Sequence, residues 1–300
     1  MSPANDGLFG AILLNLDRDV SRRIWMEGQL AAARIAFERQ SGVLGGEMLP
    51  AAVAPYFGGA RPAFTHPLRI GEIGCYASHL MAMRRVASGA LGPVVLVMED
   101  DLIVSTDLAA IIGDALAKLP PGWDMLRLSN PPKRATRTVA RLADGRELIR
   151  YSKIPNSAGA FLITVEGARK FLKPGPRVLP ADEDMRRPWR FGLREYGVVP
   201  APVRPDILDR SSIESLQPKS AVPKGNALFE TLRKVEFSHL LARPAANIRD
   251  LGPAGWLSCL ARNGWDKIAR AAGLPGGLPK REPFRVTGAK PPQAESASST

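Results

Sequence analysis

The chain has 300 residues, of which 45% are hydrophobic and 23% charged, and carries a formal net charge of +12. That is an ordinary soluble composition, long enough to bury a sizeable core, and it predicts one large domain plus an appendage. It excludes a membrane span, since no stretch approaches roughly 18 consecutive apolar residues, and a disulfide framework, since Cys75 and Cys259 are the only cysteines.

Neither cysteine sits in a Cys/His metal spacing, so both read as buried or idle thiols. Met1 to Gly7 lacks the basic region and apolar run of a signal peptide, and a cytoplasmic protein is expected. The charge is uneven: residues 216–300 hold 13 Lys/Arg against 6 Asp/Glu, more than half of the surplus of +12. A basic surface suits nucleic acid, anionic lipid or an anionic small substrate. No nucleic-acid partner is expected, because no reading motif is present and aromatics for base stacking make up only 6%.

In chain order, Gly10 to Leu16 is a continuous apolar run, as in a strand covered on both faces. Asp17 to Ser21 is a polar turn, with Asp19 or Ser21 as N-cap, and Met26, Leu30 and Ala33 then recur at helical spacing. Residues 41–68 are rich in Gly, Pro and Ala and read as a connecting loop. Ile73, Ala77, Leu80 and Val86 mark a second helix, stopped by Gly89 and Gly92-Pro93. Glu72 at its start reads first as a capping acid, and His79 within it as a hydrogen-bonded core histidine. Ser78-His79 has no acid partner and no nucleophile elbow, which argues against a hydrolase triad.

Val94 to Met98 is a short apolar strand that delivers Glu99, Asp100 and Asp101 to one point at its carboxyl end. In an open α/β sheet that is where ligands bind. Adjacent carboxylates repel unless they are solvated, protonated or neutralised, and they select hard cations such as Mg²⁺ or Mn²⁺ that also grip phosphates. The competing reading is an acidic turn that caps the next helix from Asp101 or Thr106. Leu108 to Leu119 forms that helix and ends at Pro120-Pro121-Gly122.

Met125 to Leu128 is a further strand. Eight cationic residues between Arg127 and Lys153 face only Asp144 and Glu147; this is a solvated hairpin, or else a basic overhang of the acidic strand that attracts an anion. Ala160 to Thr164 is a strand and Glu166 to Leu172 a short helix. Past Ser215, Leu228, Leu232, Val235, Leu240 and Leu241 suggest one amphipathic helix, and Trp256, Leu257, Leu260, Trp265 and Ile268 beside Arg262, Lys267 and Arg270 a second. These pack on the main domain or lie on an anionic bilayer. From Pro275 onward the composition predicts disorder. The expected organisation is therefore a domain over 1–215, a basic helical extension over 216–274 and a tail over 275–300.

Three blocks carry a family resemblance: Leu14-Asn15-Leu16-Asp17-Arg18 with Arg22-Arg23, Gly71-Glu72-Ile73-Gly74-Cys75 with Ser78-His79, and Glu99-Asp100-Asp101. In order and spacing over residues 8–215 they resemble glycosyltransferase family 25, the lipooligosaccharide galactosyltransferases and their collagen-modifying relatives. Ser157 to Ile163 and Pro180-Ala181-Asp182 are weaker echoes. Met83 stands where many relatives have tryptophan, and Ser21 where aspartate is common.

The resemblance implies a GT-A-like α/β fold, with a Rossmann-type mixed sheet flanked by helices, and an inverting hexosyltransferase that uses a UDP-sugar. Glu99 and Asp101, two apart on an extended segment, point the same way and are the expected ligands of Mn²⁺ or Mg²⁺. Asp100 points elsewhere and, with Asn15, Arg18, Arg22 and Arg23, is expected around the donor. Inversion needs a base for the acceptor hydroxyl; Asp182 and Asp184 are the candidates, and Asp182 falls on the family's Pro-x-Asp. The alternative is a helix-capping acidic turn.

The expected partners are the nucleotide-sugar donor, a glycolipid or oligosaccharide acceptor and an anionic membrane surface, at the inner face of which a cytoplasmic enzyme would work. Two rival functions share parts of this pattern: a metal-dependent phosphoryl-transfer or nuclease enzyme, and a non-catalytic membrane-surface binding protein.

Overall fold

The computed structural model describes residues 7–61, 66–129, 132–206 and 238–274. The expected helix around Leu228, Leu232 and Val235 and the tail from Pro275 lie outside them. The chain folds as mixed α/β. An eight-stranded sheet runs in the order β2-β1-β3-β8-β5-β9-β7-β6, and a two-stranded ribbon pairs β10 with β4.

The first half is parallel: β1 (Gly10–Asn15) lies between β2 (Glu38–Ser41) and β3 (Val94–Met98). Across β3, β8 (Ala160–Thr164) runs antiparallel and leads to β5 (Met125–Arg127), which pairs in parallel with β9 (Glu195–Val199). The hairpin β6 (Thr136–Arg141) and β7 (Glu147–Tyr151) closes the far edge.

Continuous apolar strands arise because both sheet faces are covered, and alternate residues divide between two cores. Ile12, Leu14, Val95, Val97, Phe161 and Ile163 face α2 (Ile70–Ala87) and α4 (Val165–Phe171). Leu13, Leu96, Met98 and Leu162 face α1 (Val20–Ala32) and α3 (Leu108–Lys118). Alternation therefore fixes register, since a one-residue slip would exchange the two cores.

The expected strands and helices of the main domain are present, and four further strands appear. Glu38–Ser41 is a polar edge strand, while β4 (Leu102–Val104) and β10 (Val203–Pro205) are too short to show a period of two. In β9 the charged Glu195 is buried against Arg127, Nε to Oε2 at 2.8 Å, which hides the strand from a hydrophobicity reading. The 41–68 connection is more than a loop: Leu49, Val53 and Phe57 enter the first core, and Ala54–Phe57 forms a 3-10 turn.

Helix caps depart from expectation in part. Glu72 caps α2 as its position suggests, its carboxylate accepting from Arg69 N at 2.9 Å. Asp19 precedes α1 and Asp107, rather than Asp101 or Thr106, precedes α3, and neither side chain caps its helix.

The last helix, α6 (Ser238–Ala271), is broken at Gly252, whose φ of +70° and the following Pro253 interrupt the helical path. It packs along the hairpin: Leu251, Trp256 and Cys259 close over Ala135, and Arg137 donates to Leu251 O at 2.6 Å. Among the described residues no helix is long and apolar enough to cross a membrane. The basic hairpin therefore does not overhang the acidic strand. It forms the opposite edge of the sheet, and Arg127, Arg137 and Arg150 serve contacts within the fold.

Candidate functional site

The parallel arrangement of β1 and β3 brings Asn15 and the 99–101 triplet to the same end of the sheet. There they border a cavity of about 130 Å³ whose other walls are the 42–45 loop and the first half of α2. Close backbone contact shapes this cavity. A Cβ on Gly45 would lie 1.9 Å from Ile70 O, and one on Gly74 2.5 Å from Val43 O. Ser78 clamps the same junction, donating to Gly74 O and accepting from Val43 N, both at 2.8 Å. It is a loop anchor, in keeping with the absence of a triad.

The three acids diverge. Asp100 turns back into the fold, where Asn15 Nδ2 donates to it at 2.6 Å and Arg22 Nη1 at 3.0 Å. Burial raises its pKa against the pull of Arg22 and Asn15. Glu99 turns toward α2, with Oε1 2.9 Å from His79 Nε2 and 3.9 Å from Cys75 Sγ. Asp101 is half-buried beside Arg22 at 3.5 Å. Burial, and then the charge of Glu99, push its pKa up to about 7, with Arg22 opposing.

Cys75, His79 and Glu99 offer donor atoms within 4.8 Å of one another. His79 is a buried, hydrogen-bonded histidine, as expected. Cys75 is more than an idle thiol, because it lines the cavity, and burial together with the Glu99 charge raises its pKa well above the ordinary range.

Asn15 and Arg22 line the cavity, but their polar groups already bind Asp100. Arg18 and Arg23 do not line it; Arg18 sits 3.8 Å from Asp19, and Arg23 3.6 Å from Glu27 along α1. They form ion pairs along the start of α1. Arg39 went unremarked in the sequence because β2 did. Its Nε donates to Asn15 Oδ1 at 3.1 Å and it pairs with Asp17, so it orients the amide that holds Asp100.

The two candidate bases part company. Asp182 opens α5 (Ala181–Met185), accepts from Asn156 and stays partly open. Burial, then Glu183 and farther off Glu99, raise its pKa, and its charge in turn reaches Cys75. Asp184 is fully buried, receives Tyr76 Oη at 2.8 Å and pairs with Arg190. It is a core acid out of reach of an acceptor hydroxyl. Arg127 ties the pieces together: Nη1 donates to Ser157 O and Nη2 to Met185 O, both at 2.6 Å, fixing the 156–159 loop against α5.

A family model described as glycosyltransferase family 25 (LPS biosynthesis protein) matches residues 10–185, which contain every element of this site. Among curated proteins, procollagen galactosyltransferase 1-B of Xenopus laevis is 30% identical over 190 residues, 57% of this chain and 29% of its own length. A glycosyltransferase 25 family member of Anopheles gambiae is 30% identical over 132 residues, 42% of this chain and 22% of its own. A Mus musculus protein named inactive glycosyltransferase 25 family member 3 is 30% identical over 146 residues, 47% and 23% respectively. The chain thus spans less than a third of the length of these relatives.

Proposed function

This chain belongs to glycosyltransferase family 25, and from that premise we propose that it moves a hexose, galactose by first choice, from a UDP-sugar to a saccharide acceptor of lipopolysaccharide or a related surface glycan. The observation that carries the reading is the cavity at the carboxyl ends of β1 and β3 with Glu99 and Asp101 on its wall.

Glu99, His79 and Cys75 offer donor atoms close enough to share a divalent cation, while Asp101 does not point the same way as Glu99 but stands beside Arg22 on the same cavity wall. Burial and the Glu99 charge raise the pKa of Asp101, and a bound cation would oppose that rise. Cys75 and His79 add softer donors in the same corner, which favours Mn²⁺ over Mg²⁺. When bound, the ion supplies positive charge for the departing diphosphate.

The remaining roles belong to the chain. Asn15 and Arg22 lock Asp100, and so hold the triplet's backbone with Glu99 and Asp101 turned to the cavity. Asp182 takes the proton of the acceptor hydroxyl as that oxygen attacks the anomeric carbon; a raised pKa suits a base that works near neutrality. The acceptor side lies at an anionic membrane surface on the cytoplasmic face. In support, Leu257, Leu260, Trp265 and Ile268 of α6 are 61%, 48%, 57% and 60% exposed, in a segment that also carries Lys267 and Arg270.

The test is calorimetric titration of UDP and UDP-galactose, with and without Mn²⁺, into wild type and Asp101→Asn. Metal-dependent binding that disappears in the variant is expected. A folded wild type that binds no UDP overturns the reading.

A further inference from the structure

A second cavity, of about 30 Å³, lies between the end of β7, Arg186 and the first half of α6. Lys153, Arg186 and Arg243 line it together with the Asn247 amide. Arg134, exposed on the loop before β6, adds its charge to the same group. Four separate segments thus contribute cations to one place.

Like charges so gathered raise the energy of the fold unless an anion joins them. Of the acids at hand, Asp250 and Glu195, which also line the cavity, are held by Arg249 and Arg150 at 2.8 and 3.5 Å and by Arg127 at 2.8 Å, while Glu183 is shared between Arg186 and Arg187 at 2.8 Å each and so offsets one cation of the group. Among the described residues Lys153 has no ion pair or hydrogen bond, and Arg243 reaches only Ser152 O at 3.4 Å. Burial first, then Arg186, Arg243 and Arg134, hold the Lys153 ammonium below its ordinary range; Arg243 is lowered by burial and the same neighbours.

We propose that this cavity binds a phosphate monoester carried by the acceptor, with Lys153, Arg186, Arg243 and the Asn247 amide as its contacts. The inference rests on the transferase reading and deepens it by naming the acceptor's chemistry. Arg186 follows Asp182 by one helical turn, so a phosphate held here sets the distance between the acceptor's anionic group and the base. Guanidinium and ammonium groups from several elements match a dianion's spread of oxygens.

The experiment titrates glucose 1-phosphate into the full chain, wild type and the Lys153→Gln/Arg243→Gln double variant. A parallel arm measures binding to phosphatidylcholine vesicles with and without phosphatidic acid. UDP with Mn²⁺ is titrated into both proteins as the control.

The expected result is phosphate binding weakened about tenfold or more in the variant, with UDP affinity unchanged. Weakening on the soluble probe assigns the phosphate to a sugar, and weakening on vesicles alone assigns it to a lipid headgroup. Equal affinity in both proteins, or no wild-type binding to either probe, overturns the proposal. Loss of UDP binding by wild type would instead remove the transferase reading and leave the phosphate result standing. Should the double variant misfold, exposed Arg134→Gln must weaken the same binding, and unchanged affinity there overturns the proposal equally.

Discussion

Asp182 and Asp184 are two residues apart, one partly open and the other fully buried, so substitutions at the two test the proposed chemistry and the stability of the fold separately. Asp182→Asn keeps the Asn156 neighbour and removes the proton acceptor. Transfer should fall about 10²- to 10⁴-fold in kcat with an unchanged denaturation midpoint. Because burial and Glu183 raise the Asp182 pKa and the base works ionised, wild-type kcat should decline as pH falls through a value above the ordinary aspartate range, and persist above it. A pH–rate profile without an acid limb would remove Asp182 from the role. Asp184→Ala strands Tyr76 Oη and Arg190 and should destabilise the fold by about 2–4 kcal/mol in urea titration. The sequence shows Asp182-Glu183-Asp184 as one acidic patch. What distinguishes its members is Tyr76, far away in the chain, and no local pattern carries that contact.

At the level of elements, the site depends on how closely the 42–45 loop approaches α2. Gly45→Ala places a methyl group against Ile70 O, which backbone cannot yield cheaply, so UDP binding and the melting temperature should fall together. Gly28→Ala is the contrasting case: it lies inside α1, nothing stands within 4 Å of its Cβ position, and it should stabilise by about 0.5–1 kcal/mol with binding unchanged. If both variants behave alike, the close approach is not what shapes the cavity. The strands β1 and β3 and the helix α2 are legible in the sequence, because two-sided burial leaves apolar runs and helical stripes. β4 is not, since it is three residues long, pairs with the equally short β10, and is held on its remaining side by Gln29, whose amide donates to Leu102 O and accepts from Val104 N at 2.8 Å each. The triplet's carboxylates are visible as a cluster, but their divergence toward Asn15, His79 and Arg22 follows only from which elements surround β3.

On the scale of the whole molecule, the two ends of the sheet serve different purposes. The parallel end carries the cavity bordered by the 99–101 triplet, and the antiparallel end, with its basic hairpin, carries α6. The cationic run from Arg127 to Lys153 reads as a hairpin, which β6 and β7 form, but composition does not reveal which sheet edge a segment joins. One face of α6 is committed to the hairpin through Leu251, Trp256 and Cys259, which leaves Leu257, Leu260, Trp265 and Ile268 along the other face. Residues 257, 260, 261, 264, 265 and 268 fall on one helical stripe, and Lys267 and Arg262 flank it, the arrangement of a helix lying in a headgroup layer. Leu257→Ser/Trp265→Ser/Ile268→Ser should therefore weaken binding to vesicles containing anionic phospholipid by at least about tenfold, since three large apolar contacts are lost. UDP affinity should stay unchanged, because the cavity proposed for the donor is at the other end of the sheet. Vesicle sedimentation that is indifferent to the triple substitution would detach the membrane contact from α6, while a loss that also appears with neutral vesicles would show the apolar stripe acting without help from charge.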